Sequence, residues 1–154
     1  MALTSFTDIA NVKRESGFTN NSNIVDSLVS PHVKAANAEV NMAVAARYSV
    51  PLTANTTYTG SMSEDYLEQV ASNLGAGLLM MQQYGDAGGE MSDSAIAKIN
   101  FARGQIKKIN DGGVVLVGTG GEQLSLRESS LMSPKGFPSS NTANPPKFTM
   151  DKKF

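Results

Sequence analysis

Three carboxylates stand close together at Glu64, Asp65 and Glu68. On a helix this spacing groups them, and such a group could hold a hard cation or supply an acid–base pair. A hard cation needs about six to eight oxygens in a shaped loop, and no EF-hand pattern surrounds these three. Negative charge in a first helical turn complements the helix dipole, which accounts for them more simply. Gly118-Thr119-Gly120-Gly121 resembles a phosphate loop in composition, but neither Lys-Ser/Thr nor a helix follows it. Flanked by β-type residues, it reads as a hairpin turn. His32 is the single histidine and there is no cysteine, so disulfides, thiolate sites and Cys–His pairs are excluded. No enzyme activity, cofactor or metal is expected.

Charge is divided along the chain. No Lys or Arg occurs from Tyr48 through Ala97, whereas Lys98, Arg103, Lys107 and Lys108 follow closely. One helix is therefore acidic and its successor basic. Their charges either face solvent across an antiparallel helical pair or complement one another between neighbouring copies. The net charge of −1 over 154 residues supplies no global field for nucleic acid. Phe101 is the only aromatic residue within the basic stretch, too few for a stacking platform. No basic start leads into an apolar run at the N-terminus, and no apolar run is long enough to cross a membrane. A soluble protein made in the cytoplasm is expected.

The elements that would position these residues are mainly helical. Residues near 7–15 suit a short helix closed by Ser16-Gly17, and a polar loop follows at 19–23. Ser22 or Asn23 could cap another short helix containing Ile24, Leu28 and Val29. Ser30-Pro31 then marks the start of a long one. Val33, Ala36, Asn37, Val40, Val44 and Tyr48 recur along its face, with Asn37 as the polar interruption. Val50-Pro51 ends it, because the residue before proline is pushed out of the helical region. After a polar loop at 53–61, Ser63 is the expected cap of a second long helix. Tyr66, Leu67, Val70, Leu74, Leu78, Met81 and Tyr84 form its apolar face, and Gly75 and Gly77 mark a close crossing. Residues 85–91 connect it to a third, with Ser92 as expected cap and Asp111-Gly112-Gly113 as its end.

A β-hairpin is expected near 114–126. Residues 1–132 thus read as one helical domain with a hairpin. Residues 133–154, rich in Pro, Ser and Asn, read as an extended tail. Phe148 and Phe154, each preceded by lysine, give that tail aromatic anchors suited to an interface.

Arg47-Tyr48-Ser49-Val50-Pro51-Leu52 closes the alanine-rich helix, a Leu67-x-x-Val70-x-x-x-Leu74 helix follows, and Phe148-Thr149-x-Asp151 lies near the end. This combination resembles the head–tail connector (adaptor, or head-completion) family of tailed bacteriophages. The resemblance implies a structural virion protein at the neck, assembled as a ring of twelve copies beneath the portal, extending the DNA channel and carrying the next neck or tail protein. DNA would pass through without being acted upon. Arg47, Tyr48, Pro51 and Leu52 would form a structural corner, with Arg47 pairing to a carboxylate of the 64–68 group. Glu64, Asp65 and Glu68 of one copy would meet Lys98, Arg103 and Lys107 of the next. Phe148, Asp151 and Phe154 would grip the portal or a neighbour, and the glycine-tipped hairpin would project toward the channel or the next ring. Another neck or tail-completion ring protein, or a small helical nucleic-acid-binding regulator, are the alternatives.

Overall fold

The computed structural model describes residues 4–84 and 89–127. Four helices, α1 (Ile9–Ser16), α2 (Asp26–Ala45), α3 (Met62–Tyr84) and α4 (Glu90–Asp111), are joined by loops, and a short 3-10 turn at Leu52–Ala54 follows the corner. The mainly helical class is as expected.

Helix α3 is the central element. Leu67, Val70, Leu74 and Leu79 are fully buried, and so are Ala71 and Ala76 between them. Its neighbours α1, α2 and α4 all pack on it, the α3–α4 interface being the most extensive. Each enclosed leucine contributes about 1.5–3 kcal/mol by leaving water. The two glycines lie where helices touch. A methyl group at Gly75 would meet Val12 of α1 and Ala36 of α2; one at Gly77 would meet Ile99 and the Ala95 carbonyl of α4. The close crossing anticipated from these glycines is therefore present twice, on different sides of one helix.

The core has two lobes. Phe6, Val40, Val44, Tyr48, Leu52 and Leu67 belong to the larger, with Ile109, Leu116 and Leu124 closing it from the C-terminal side. Val12, Phe18, Val29, Leu79 and Met80 form the smaller, at the other end of α3. There the Phe18 and Tyr84 rings lie 5.9 Å apart in a tilted arrangement.

Helix ends follow local chemistry, with three departures at helix starts and one at an end, where α2 stops at Ala45, short of Tyr48 and of the expected end at Val50-Pro51. Asp8 caps α1 by accepting from the Asn11 N–H at 2.8 Å, and Gly17 closes it at φ 77°. Gly112 closes α4 at φ 82°. The first departure is α2, which runs unbroken through Pro31 from a start at Asp26. Pro31 removes only the bond to the Ser27 carbonyl, and Ser27 is exposed, so water can replace it. The second is α3. Ser61, not Ser63, supplies the cap: its Oγ accepts from the Glu64 N–H at 3.2 Å, while Glu64 Oε2 accepts from the Gly60 N–H at 2.6 Å. Such a reciprocal arrangement is a close variant of the capping box. The third is α4, which begins at Glu90 after Gly89, leaving Ser92 buried inside its first turn.

The expected β-hairpin does not form. Residues 114–127 contain only isolated antiparallel bridges, Val117 with Gln123 and Tyr48 with Leu126, and the described residues hold no strand. Two bridges cannot extend into a ladder because Gly118–Gly121 fold back onto the loop before α3: the Thr119 N–H donates to the Thr57 carbonyl at 2.9 Å.

Candidate functional site

The stretch from Arg47 to Leu52 is where distant parts of the chain meet. Tyr48 and Leu52 are 0% and 1% exposed, respectively. The Tyr48 ring packs in the larger lobe, and its hydroxyl accepts from the Leu116 N–H at 2.9 Å. The Ser49 N–H donates to the Ser125 carbonyl at 3.0 Å, and the Arg127 N–H donates to the Arg47 carbonyl at 2.7 Å. On the other side, the Leu52 N–H donates to Thr4 Oγ1 at 3.2 Å. Pro51 opens the 3-10 turn that carries the chain toward α3. The corner thus joins the N-terminal segment, α2 and residues 116–127. An open hollow of about 370 Å³ lies against it, lined by Val50, Pro51, Asn55, Leu124 and neighbouring residues.

Arg47 does not pair with the 64–68 carboxylates. Its guanidinium lies over Gly112, the residue closing α4, where any Cβ would collide with Cζ. A cation beside the C-terminal end of a helix is favoured by the helix dipole. One guanidinium nitrogen, Nη1, is buried there with no hydrogen-bond partner among the described residues.

The N-terminal segment is held by a device the sequence reading missed. Asn37 Oδ1 accepts from the Phe6 N–H at 2.7 Å and the Thr7 N–H at 3.1 Å, and Asn37 Nδ2 donates to the Thr7 carbonyl at 3.0 Å. One turn later Asn41 repeats the pattern on Thr4, accepting at 3.2 Å and donating at 2.7 Å. Each amide mimics the edge of a strand, offering one donor and one acceptor to extended backbone. The available signal was a pair of asparagines four residues apart on an otherwise apolar face. Replacing Asn41 by alanine removes the partners of the Thr4 N–H and C=O. A buried unpaired group costs about 1–3 kcal/mol, but this segment can peel away and be hydrated, which limits the loss to about 2 kcal/mol. Hydrogen exchange should accelerate first at Thr4, whose N–H loses its acceptor, while Phe6 and Thr7 remain held by Asn37. Unchanged protection there would contradict the clamp.

The charged residues expected to meet between copies are partly engaged within the chain. Arg103 pairs with Glu39 of α2 at 3.0 Å, and Lys98 lies 3.7 Å from Glu15 of α1 while donating to Asn73 at 3.2 Å. Glu68 accepts from Asn11 Nδ2 at 2.9 Å, and Glu64 serves the cap of α3. The α3 acids and the α4 bases therefore do not pair across their shared interface. Asp65 and Lys107 remain exposed. His32 faces Gln82, with Nε2 2.6 Å from Oε1.

The glycine-rich turn is anchored rather than projecting. Besides the Thr119 bond to Thr57, the Val117 N–H donates to Ser63 Oγ at 2.7 Å. The Thr57 hydroxyl beside it, then backbone N–H groups, hold the Glu122 carboxyl below its usual range. That hydroxyl also lies 2.9 Å from Asn55 Oδ1, and its one proton serves either acceptor but not both.

Tyr58 lies beneath the start of α3 and is 1% exposed. Burial, and then the charges of Glu64, Glu68 and Asp65, raise its phenol above the ordinary value. A folded pKa above the unfolded one gives stability that is complete below the unfolded value, near pH 10, and is lost as pH rises toward the folded one. Alkaline titration should therefore progressively lower the stability from about pH 10 upward. Tyr58→Phe should flatten that limb, as followed by far-UV circular dichroism. An identical limb in the variant would rule out Tyr58 as its source.

Among the described residues, no group of three or more His, Cys, Asp or Glu is placed to hold a metal ion, and no helix is long and apolar enough to cross a membrane. The expected tail residues Phe148, Asp151 and Phe154 lie outside the described residues. Comparison with protein-family models, curated proteins and solved structures yields no match.

Proposed function

We propose that this chain is a structural virion protein that forms a ring between the portal of a DNA-filled capsid and the neck or tail. The observation that carries the reading is the corner at Arg47-Tyr48-Ser49-Val50-Pro51-Leu52. Its most distinctive residues are spent on geometry, with Tyr48 and Leu52 buried and the backbone tied to residues far away in sequence. A protein that acts by shape needs such a rigid junction. The same motif carries the resemblance to phage head–tail connectors. In the ring, probed surfaces would be the exposed Asp65 and Lys107 at a head-to-tail contact, with Phe148, Asp151 and Phe154 on the portal or a neighbour. Twelve copies would match a twelve-fold portal, and DNA would pass through the centre.

Nucleic-acid regulation is the weaker reading. Lys98 and Arg103, two of the four cations of the basic helix, are already beside Glu15 and Glu39. Another neck or tail-completion ring remains close to the first proposal and differs in its partner.

The test is negative-stain electron microscopy of particles assembled with and without this protein, with the labelled protein located on the particle. The connector reading expects heads that package DNA, leak it and lack tails, with label at the neck. Normal particles in its absence would overturn the reading. Binding of the purified protein to tail tube but not to portal would assign it to another ring of the neck or tail.

A further inference from the structure

Helices α2 and α4 lie side by side across α3 and leave a groove of about 450 Å³ between them. Ala43 and Ile106 are at its base, and Met42, Lys107 and Asn110 border it. The Arg103–Glu39 ion pair spans it. Met42 is 76% exposed, an unusual position for a large apolar side chain on a helix whose other faces are packed.

The chain itself is led to this groove. The Arg127 backbone is tied to Arg47, and its guanidinium lies 3.4 Å from the Ala45 carbonyl, one turn beyond Met42 on the same helix. Arg127, the last described residue, is therefore held beside the end of α2 that carries Met42, with residues 128–154 following it in sequence. They include Phe137 and Phe148, with Asp151 three residues after the latter. Roughly 20 residues separate Arg127 from Phe148, and even a compact path of that length reaches across one or two helical turns. A tether of this kind gives an effective concentration in the millimolar range, well above that of a second molecule in dilute solution.

We infer that the groove between α2 and α4 is the docking site for the Phe148–Asp151 segment of the same chain, with the Phe148 ring on Met42, Ala43 and Ile106 and the Asp151 carboxylate at Lys107. Phe137 carries no such acidic residue after it, so charge selects Phe148. The inference concerns the unassembled chain and is independent of the connector reading. If both hold, a partner that takes Phe148 must first draw it from this groove.

The test uses the full chain with 13C-methyl-labelled methionine, the Met42 signal being assigned by Met42→Leu. Ring current from Phe148 should displace the Met42 methyl resonance. Phe148→Ala should return it to the position of a solvated methionine, whereas Phe137→Ala should leave it displaced. Lys107→Glu should partly release it, and the pair Lys107→Glu with Asp151→Lys should restore it, a rescue that a purely structural lysine would not show. The displacement should be unchanged by a hundredfold dilution. A Met42 signal indifferent to Phe148→Ala, one that follows Phe137 instead, or one lost on dilution would each overturn the inference, the last by assigning the groove to a second copy.

Discussion

Replacing Tyr48 by phenylalanine should destabilise the fold by about 1–3 kcal/mol, although the ring and its packing are retained. The substitution deletes the one acceptor of the Leu116 N–H, a buried donor 2.9 Å from the Tyr48 hydroxyl. Leu116 is 1% exposed, so water cannot replace the phenol without opening the core. Tyr48→Ala removes the ring as well and should cost about 3–5 kcal/mol, a large part of the stability of a domain this size. Urea denaturation gives both values, and hydrogen exchange at Leu116 gives the local one. If Tyr48→Phe matched the wild type in both, the hydroxyl would not be what ties residues 114–127 to the corner. Under the connector reading the same variant should assemble poorly at temperatures where the isolated protein still keeps its helices, because the corner loosens before the bundle does.

The second large effect concerns the paired glycines of α3, and the order of the two variants is the informative result. Alanine in place of glycine gains about 1 kcal/mol of helix propensity at either site. At Gly77 the new Cβ would lie 2.7 Å from Ile99 Cγ1 and 3.0 Å from the Ala95 carbonyl oxygen. A backbone carbonyl inside α4 can move only if the helix moves, so overpacking of about 1–3 kcal/mol should outweigh the propensity gain. At Gly75 the tight contact is with Val12 Cγ2 at 2.8 Å, while Ala36 and the His32 carbonyl stand at ordinary distances. Val12 sits on the short α1, which can shift slightly. Gly75→Ala should therefore be near neutral and Gly77→Ala clearly destabilising. Gly77→Val should be worse still, about 3 kcal/mol, since it adds two methyl groups where the Cβ alone is already too close to α4. Thermal unfolding of the three variants would settle the order. Equal melting temperatures for Gly75→Ala and Gly77→Ala would mean that α4 yields as easily as α1.

Both effects act on how firmly α2, α3, α4 and the segment after them hold one another. Under the connector reading, the same stiffness would set where an exposed residue such as Asp65 or Lys107 meets a neighbouring copy. Surface ion pairs at that contact would contribute little individually, so alignment by the folded core matters more than any single charge.

What the amino-acid order determined by itself was local. The apolar spacing marked α3 and α4, Gly17 and Gly112 marked the ends of α1 and α4, and the Gly75/Gly77 pair marked close helix contacts. These signals are legible because a helix face or a left-handed cap involves residues only a few positions apart. Tertiary structure decided the rest. Asn41 acts on Thr4 across 37 positions, and Tyr48 acts on Leu116 across 68. It let α2 continue through Pro31, whose missing bond faces water, and chose Ser61 over Ser63 as the cap while turning Ser63 toward Val117. It also drew the valine- and glycine-rich stretch at 114–126 onto the Thr57 loop instead of into a hairpin. β-type residues state a preference for extended backbone, but a ladder needs a partner edge over several residues, and here the fold supplied hydrogen bonds one at a time. A polar side chain does not carry the identity of its partner, and only the packed chain brought those partners within reach.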